Sequence, residues 1–133
     1  MPEEQVDYID QCFDKRAKAG HVRESKPPHC SPNFCVHKAT DGWRVVHDYN
    51  KLNTATIPAQ TPIPRKDVLL NSMGKSTIFS ALDLKDGFYQ LLMNEAGLAK
   101  AAASTPSDML WESLVMLQGL KNAPATFNRV ALM

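Results

Sequence analysis

Residues 33–49 read Asn-Phe-Cys-Val-His-Lys, then Ala-Thr-Asp-Gly, then Trp-Arg-Val-Val-His-Asp-Tyr. Two runs rich in β-branched and aromatic residues flank a turn that closes on Asp41-Gly42, the pattern of a β-hairpin with an exposed tip. In the second run Trp43, Val45, His47 and Tyr49 share one face, and Arg44, Val46 and Asp48 share the other, as the two-residue period of a strand requires. Upstream, Val6, Ile9, Phe13 and Ala17 recur at the three- and four-residue spacing of one helical face. Glu3, Glu4 and Asp7 occupy the first turns of that helix and Lys15, Arg16 and Lys18 its last, which complements the helix dipole, and Gly20 supplies the stop. Between helix and hairpin, Lys26 to Pro32 reads Lys-Pro-Pro-His-Cys-Ser-Pro, a connector whose prolines forbid regular helix.

Downstream of the hairpin, Pro58, Pro62 and Pro64 mark residues 54–64 as an extended crossing segment. A short helix is predicted over Asp67–Met73, ended by Gly74. Thr77–Leu84 alternates like a strand, Asp86-Gly87 turns the chain, and Phe88–Met93 reads as another apolar strand. Asn94–Gly97 and Pro106–Asp108 read as hairpin turns, with strands Ala101–Thr105 and Trp111–Met116 around the second. Asn122 is placed to cap a last helix, with Pro124 tolerated in its first turn. Irregular alternation of helices and hairpins gives an α+β class built around an antiparallel sheet.

The 133 residues carry 15 Lys+Arg against 14 Asp+Glu. Through Lys66 there are 10 basic and 8 acidic residues, and beyond it 5 and 6, so neither half has a basic excess that would by itself point to nucleic acid. At 44% apolar and 22% charged the chain has the composition of a globular domain. No apolar stretch is long enough to span a bilayer, and none follows a basic start as in a secretory leader. Three cysteines make no disulfide framework. These features fit a soluble, intracellular chain, with no address to choose between cytoplasm and nucleus.

Asp83 ends the apolar run Ile78-Phe-Ser-Ala-Leu-Asp-Leu84, where a charge is costly unless something compensates for it. A carboxylate there either helps to hold a hard divalent cation such as Mg²⁺ or caps the turn through Asp86-Gly87. His29, Cys30, Cys35 and His37 lie close in sequence but lack the paired two-residue spacing of a structural zinc site. Cys12, beside Phe13, reads as a small buried apolar residue. Neither a Walker-type loop nor a dinucleotide-binding glycine turn is present.

Three stretches taken together are more specific: Asp41-Gly-Trp-Arg-Val-Val-His-Asp-Tyr-Asn-Lys-Leu-Asn53, Phe79-Ser-Ala-Leu-Asp-Leu-Lys-Asp-Gly-Phe-Tyr-Gln90 and Gln118-Gly-Leu-Lys-Asn-Ala-Pro-Ala-Thr-Phe127. In this order and spacing the chain resembles, over nearly its whole length, the reverse transcriptase of Ty3/gypsy-type LTR retrotransposons. The resemblance implies a partial fingers and palm of a right-hand polymerase, with residues 1–66 fingers-like and 67–133 the start of the palm. It implies an RNA-directed DNA polymerase using Mg²⁺ (or Mn²⁺), deoxynucleoside triphosphates and an RNA or DNA template–primer. Under it Asp83 is the first catalytic aspartate, with the Leu84 carbonyl as a further metal ligand. Lys38 and Arg44 grip the incoming triphosphate, Phe88 gates against a 2′ hydroxyl, Gln118 packs on the nucleotide and Lys121 lies near the template.

The chain also departs from that family. The aromatic-x-Asp-Asp hairpin that carries the other two aspartates is absent, Leu117 stands where proline is usual, Ala101-Ala-Ala103 replaces a more polar, aromatic strand, and Asn50 sits where arginine is common. The expectation is therefore a fragment truncated before that hairpin, inactive alone, with either weak nucleic-acid contacts or no partner. Exposed apolar surface is expected from Leu114 to Leu120, beside a last helix cut short.

Overall fold

The first helix, α1 (Glu3–Lys18), forms where the apolar stripe predicts, and Ile9 and Phe13 on that stripe are buried. It ends in a Schellman arrangement. Gly20 takes φ +77°, Gly20 N bonds Ala17 O at 3.1 Å and His21 N bonds Arg16 O at 2.9 Å. The computed structural model describes residues 1–26 and 29–132, so Pro27 and Pro28 of the proline connector, and Met133, lie outside it.

A five-stranded sheet packs under α1. Its strands are β1 (Val22–Glu24), β2 (Ser31–His37), β3 (Trp43–His47), β4 (Ala103–Ser104) and β5 (Leu110–Ser113), in spatial order β1-β5-β4-β2-β3. The expected hairpin is β2–β3, antiparallel with Asn33 opposite His47 and His37 opposite Trp43, and Asp41 and Gly42 take positive φ at its tip. β1–β5 and β4–β5 are antiparallel as well, whereas the short contact of Ser31-Pro32 with Ala103-Ser104 is parallel. β1 carries no alternation and was not legible. It is held from β5 by Glu112, whose carboxylate accepts from Ser25 Oγ at 2.7 Å and from Arg23 Nε at 3.0 Å. The Ser25 hydrogen bond, backed by Arg23, holds that carboxyl below its ordinary range.

Phe13 stacks on Trp111 at 5.9 Å, and with Ile9, Val22 and Ala103 they form the core between α1 and the sheet. A second cluster, Tyr49, Ala101 and Leu117, lies below the hairpin's exit. The alanine run 101–103 is buried throughout, and its small side chains let Tyr49 reach across to donate to Ala101 O at 3.0 Å.

Past the hairpin, α2 (Asn50–Ala55) forms on residues given no element by the sequence pattern and takes in the first two of the expected crossing segment, and α3 (Lys66–Met73) falls where predicted, closed at Gly74. Two predicted strands do not form. Residues 77–84 form no ladder, with Ile78 86% and Leu82 92% exposed, because no described strand lies alongside to take up their backbone groups. In place of a strand from Phe88, residues Gly87–Gln90 coil into a 3-10 turn after Asp86 at φ +49°, and only Leu91–Met93 runs beside residues 114–116, through a single bridge Leu92–Val115. The predicted turn at 94–97 is a short helix, α4 (Glu95–Leu98), capped by the Asn94 side chain, and a further 3-10 turn (Ala99–Ala101) leads into β4. The expectation of exposed apolar surface from Leu114 to Leu120 is corrected. Val115, Met116 and Leu117 are buried, since residues 91–93, Tyr49 and Ala101 cover them.

The last helix is α5 (Ala123–Ala131). Asn122 stands at its start but does not cap it. Its side chain instead accepts from Ala59 N at 2.9 Å and donates to Ile57 O at 2.9 Å, tying the crossing segment to α5.

Candidate functional site

Two adjoining clefts open between the hairpin, the 3-10 turn at 87–90 and α5. The first, about 330 Å³, is lined by Leu82, Asp83 and Leu84 of the unladdered segment, by Gly87 and Phe88, and by Gln118 and Phe127. The second, about 230 Å³, is lined by Arg44 to His47 of β3, by Tyr89, and by Gln118 and Gly119. Gln118 belongs to both, so the chain brings Asp83, Leu84, Phe88 and Gln118 to one surface and Arg44 to its continuation.

Each wall has a local cause. Gly87 lets the Phe127 ring approach closely, because a Cβ there would stand 3.1 Å from that ring, which meets Phe88 edge-on at 5.3 Å. Gly119 takes φ +97°, which turns the chain after Gln118 over the Tyr49 ring. Asn53 clamps that loop by donating to Gly119 O at 2.8 Å and accepting from Lys121 N at 2.8 Å. Nothing in the local pattern singled Asn53 out, because its partners lie more than sixty residues away.

Behind the second cleft lies a polar network that the sequence reading did not anticipate. Arg16 of α1 bonds His47 Nε2 at 3.3 Å and donates to Tyr89 Oη at 3.2 Å, and His47 Nδ1 bonds Asn33 Oδ1. A guanidinium only donates, so Nε2 accepts and Nδ1–H donates to Asn33, whose own amide donates to Ser104 O at 2.8 Å. Burial, reinforced by the Arg16 charge, pushes the His47 imidazole down to about 4. The neutral ring is what this hydrogen-bond pattern needs. Burial likewise pushes the Tyr49 phenol up.

Two proposed residues sit elsewhere. Lys38 closes the hairpin turn through its backbone, Lys38 N to Gly42 O at 3.0 Å, and lines neither cleft. The Lys121 ammonium donates to the carbonyls of Asn53 and Thr56, at 3.4 and 3.2 Å, where it satisfies the C-terminus of α2. Of the cysteine–histidine group, the His37 ring lies tilted against Trp43 at 3.9 Å between centres and Cys35 Sγ faces Gln5 O at 4.0 Å, while Cys30 is exposed. Cys12 is half-buried. Among the described residues no three His, Cys, Asp or Glu side chains gather as a metal set. Asp83 is the single carboxylate lining either cleft.

The family model for reverse transcriptase (RNA-dependent DNA polymerase) matches residues 36–132. The chain belongs to the reverse transcriptase family. It is 46% identical over 126 residues to the retrovirus-related Pol polyprotein from transposon 297 of Drosophila melanogaster, covering 91% of this chain and 12% of that protein. The corresponding polyproteins from transposons opus and gypsy, also of Drosophila melanogaster, are 38% and 33% identical, each over 92% of this chain and over 13% and 12% of their own length. The chain thus spans about an eighth of these relatives and is a segment of a reverse transcriptase domain of the gypsy type, a family that generally uses divalent metal ions. The α+β fold with its mainly antiparallel sheet is the class that the sequence pattern predicts, and it is compatible with part of a reverse transcriptase fingers and palm. Among the described residues no helix is long and apolar enough to cross a membrane.

Proposed function

We propose that residues 1–132 form the nucleotide-binding side of an RNA-directed DNA polymerase, fingers-like through residue 66 and early palm beyond it. The observation that carries this reading is the convergence of Asp83, Leu84, Phe88 and Gln118 on one cleft, with Arg44 on its continuation, from three segments far apart in sequence. In this reading a deoxynucleoside triphosphate lies across Gln118, with its triphosphate toward Arg44 and its sugar over Phe88, whose ring leaves no room for a 2′ hydroxyl. Phe127 holds that ring edge-on and so keeps the gate from swinging away. Lys38 joins Arg44 on the phosphates from the hairpin turn. Lys121 faces the template at the α2 terminus, and the RNA or DNA template–primer runs past it.

The residues present only partly fit the implied metal pair. Mg²⁺ keeps octahedral oxygen geometry and gives up water reluctantly, and two ions need several shared carboxylates. This chain brings one, Asp83, with the Leu84 carbonyl beside it, so a two-metal centre built here requires donors from outside these residues. Mg²⁺ is the ion proposed, with Mn²⁺ as its substitute. The same single carboxylate supports a second reading for the chain on its own, which contacts template–primer weakly and turns nothing over. Duplex binding that falls steeply with salt would support it, because phosphate contacts release counterions.

The primary reading is tested in a polypeptide that joins residues 1–133 to the remaining parts of a reverse transcriptase. Asp83→Asn is expected to lower RNA-templated primer extension by about 10²- to 10³-fold, the scale lost with a charge-stabilising group. Extension at the unsubstituted rate would overturn the assignment.

A further inference from the structure

We propose that Arg16, on the N-terminal helix and outside both clefts, is a positioning residue that sets the spacing between the hairpin wall and the Phe88 wall, and with it the discrimination between deoxy- and ribonucleotides. The proposal rests on the nucleotide reading above. The guanidinium lies 5.6 Å from the Phe13 ring centre and 5.5 Å from that of Tyr89, and its two terminal nitrogens reach different walls. One meets His47 on β3, three residues from Arg44. The other meets Tyr89, the residue after Phe88 in the same four-residue 3-10 turn. A turn that short moves as a unit, so fixing the Tyr89 hydroxyl also fixes the backbone that carries Phe88.

On the far side, His47 passes the constraint through Asn33 to the Ser104 carbonyl, so the hairpin wall is anchored across the sheet. The His47 carbonyl also lies beside Gly119, where it helps seat the loop that presents Gln118. Among the described residues no carboxylate stands within salt-bridge distance of Arg16. Within the chain its half-buried charge meets only neutral acceptors and aromatic faces. An unbranched apolar side chain could pack on the same two rings, so what the guanidinium adds is direction, two hydrogen bonds at a fixed angle.

The test uses the joined polypeptide described above on a template–primer ending in a dideoxynucleotide, with backbone and histidine ¹⁵N resonances of residues 1–133 followed during titration with Mg·dATP and Mg·ATP, which differ only in the 2′ hydroxyl. The unsubstituted chain is expected to show shifts at Arg44, Phe88 and Gln118 with dATP and weaker binding of ATP. In Arg16→Met the ratio of the two apparent Kd values is expected to fall by about threefold or more, the scale of one lost directional contact. Its melting temperature should hold, while the His47 Nε2 resonance shifts on losing its donor and Nδ1–H stays bonded to Asn33. A folded Arg16→Met chain that keeps the ratio overturns the proposal and leaves the nucleotide reading standing. An unsubstituted chain in which dATP moves none of the three residues overturns the nucleotide reading, and the proposal falls with it. Should Arg16→Met fail to fold, Tyr89→Phe carries the same comparison, since it keeps both rings and removes only one hydrogen bond.

Discussion

His47 shows most directly how one side chain couples the folded state to solution conditions. Its imidazole is neutral in the fold because burial and the Arg16 charge both oppose protonation, bringing it from the ordinary 6.5 to about 4. Between those values the unfolded chain binds a proton that the folded chain refuses. Stability from this site is therefore complete above about pH 6.5 and is lost as the pH falls toward 4, by up to about 3 kcal/mol. Urea midpoints measured at pH 7, 5.5 and 4.5 should fall in that order, and His47→Asn, which keeps a donor toward Asn33, should flatten the series. A midpoint that rises on acidification would contradict the assigned tautomer. Asp83 offers a contrast. It was singled out by pattern as a lone charge on an apolar run, yet in the fold it is exposed, and its interest comes from the company of Phe88 and Gln118.

Among the elements, the consequential contacts are those made by side chains that leave their own element unserved. Asn122 is the type that caps a helix, and the sequence puts it at the right place, but its amide is spent on Ile57 and Ala59. Asn122→Ala should therefore leave α5 helicity unchanged and release the crossing segment, with a loss of about 1 kcal/mol for the two exposed bonds. Limited proteolysis reads this out as faster cleavage within residues 57–65, with far-ultraviolet circular dichroism unaltered. Lys121 behaves alike, since its ammonium closes α2 from a loop more than sixty residues away. Local reading assigns such residues to the nearest helix because it has no knowledge of which other backbone groups are left without partners.

For the molecule as a whole, apolar surface is distributed unevenly. The core under α1 and the cluster around Tyr49 are closed, whereas Ile57, Ile63, Ile78, Phe79, Leu82 and Leu84 are all more than 60% exposed. Replacing both Ile78 and Leu82 with Ser should shift stability by less than about 0.5 kcal/mol, because neither side chain is buried. The same double substitution should reduce self-association in light scattering, since it interrupts the exposed apolar run. A drop in melting temperature of several degrees would mean that residues 77–84 are packed in solution.

The sequence by itself determined α1, the β2–β3 hairpin, α3 and the β4–β5 turn, because each announces itself through contacts close along the chain: a helical stripe, an alternating face, a Gly at a positive-φ turn or at a helix end. It also determined the family, through three stretches whose spacing survives even where the chain departs from its relatives. Only the tertiary structure decided the rest. Residues 77–84 alternate like a strand but form no ladder, since a strand is made by its neighbour as much as by its own residues. Phe88–Gln90 coils because Phe127 and Arg16 grip its aromatic rings from other elements. The network of Arg16, His47, Asn33 and Tyr89 was invisible beforehand for the same reason: its members are polar residues of ordinary local pattern, and their complementarity exists only once four separate segments are brought together.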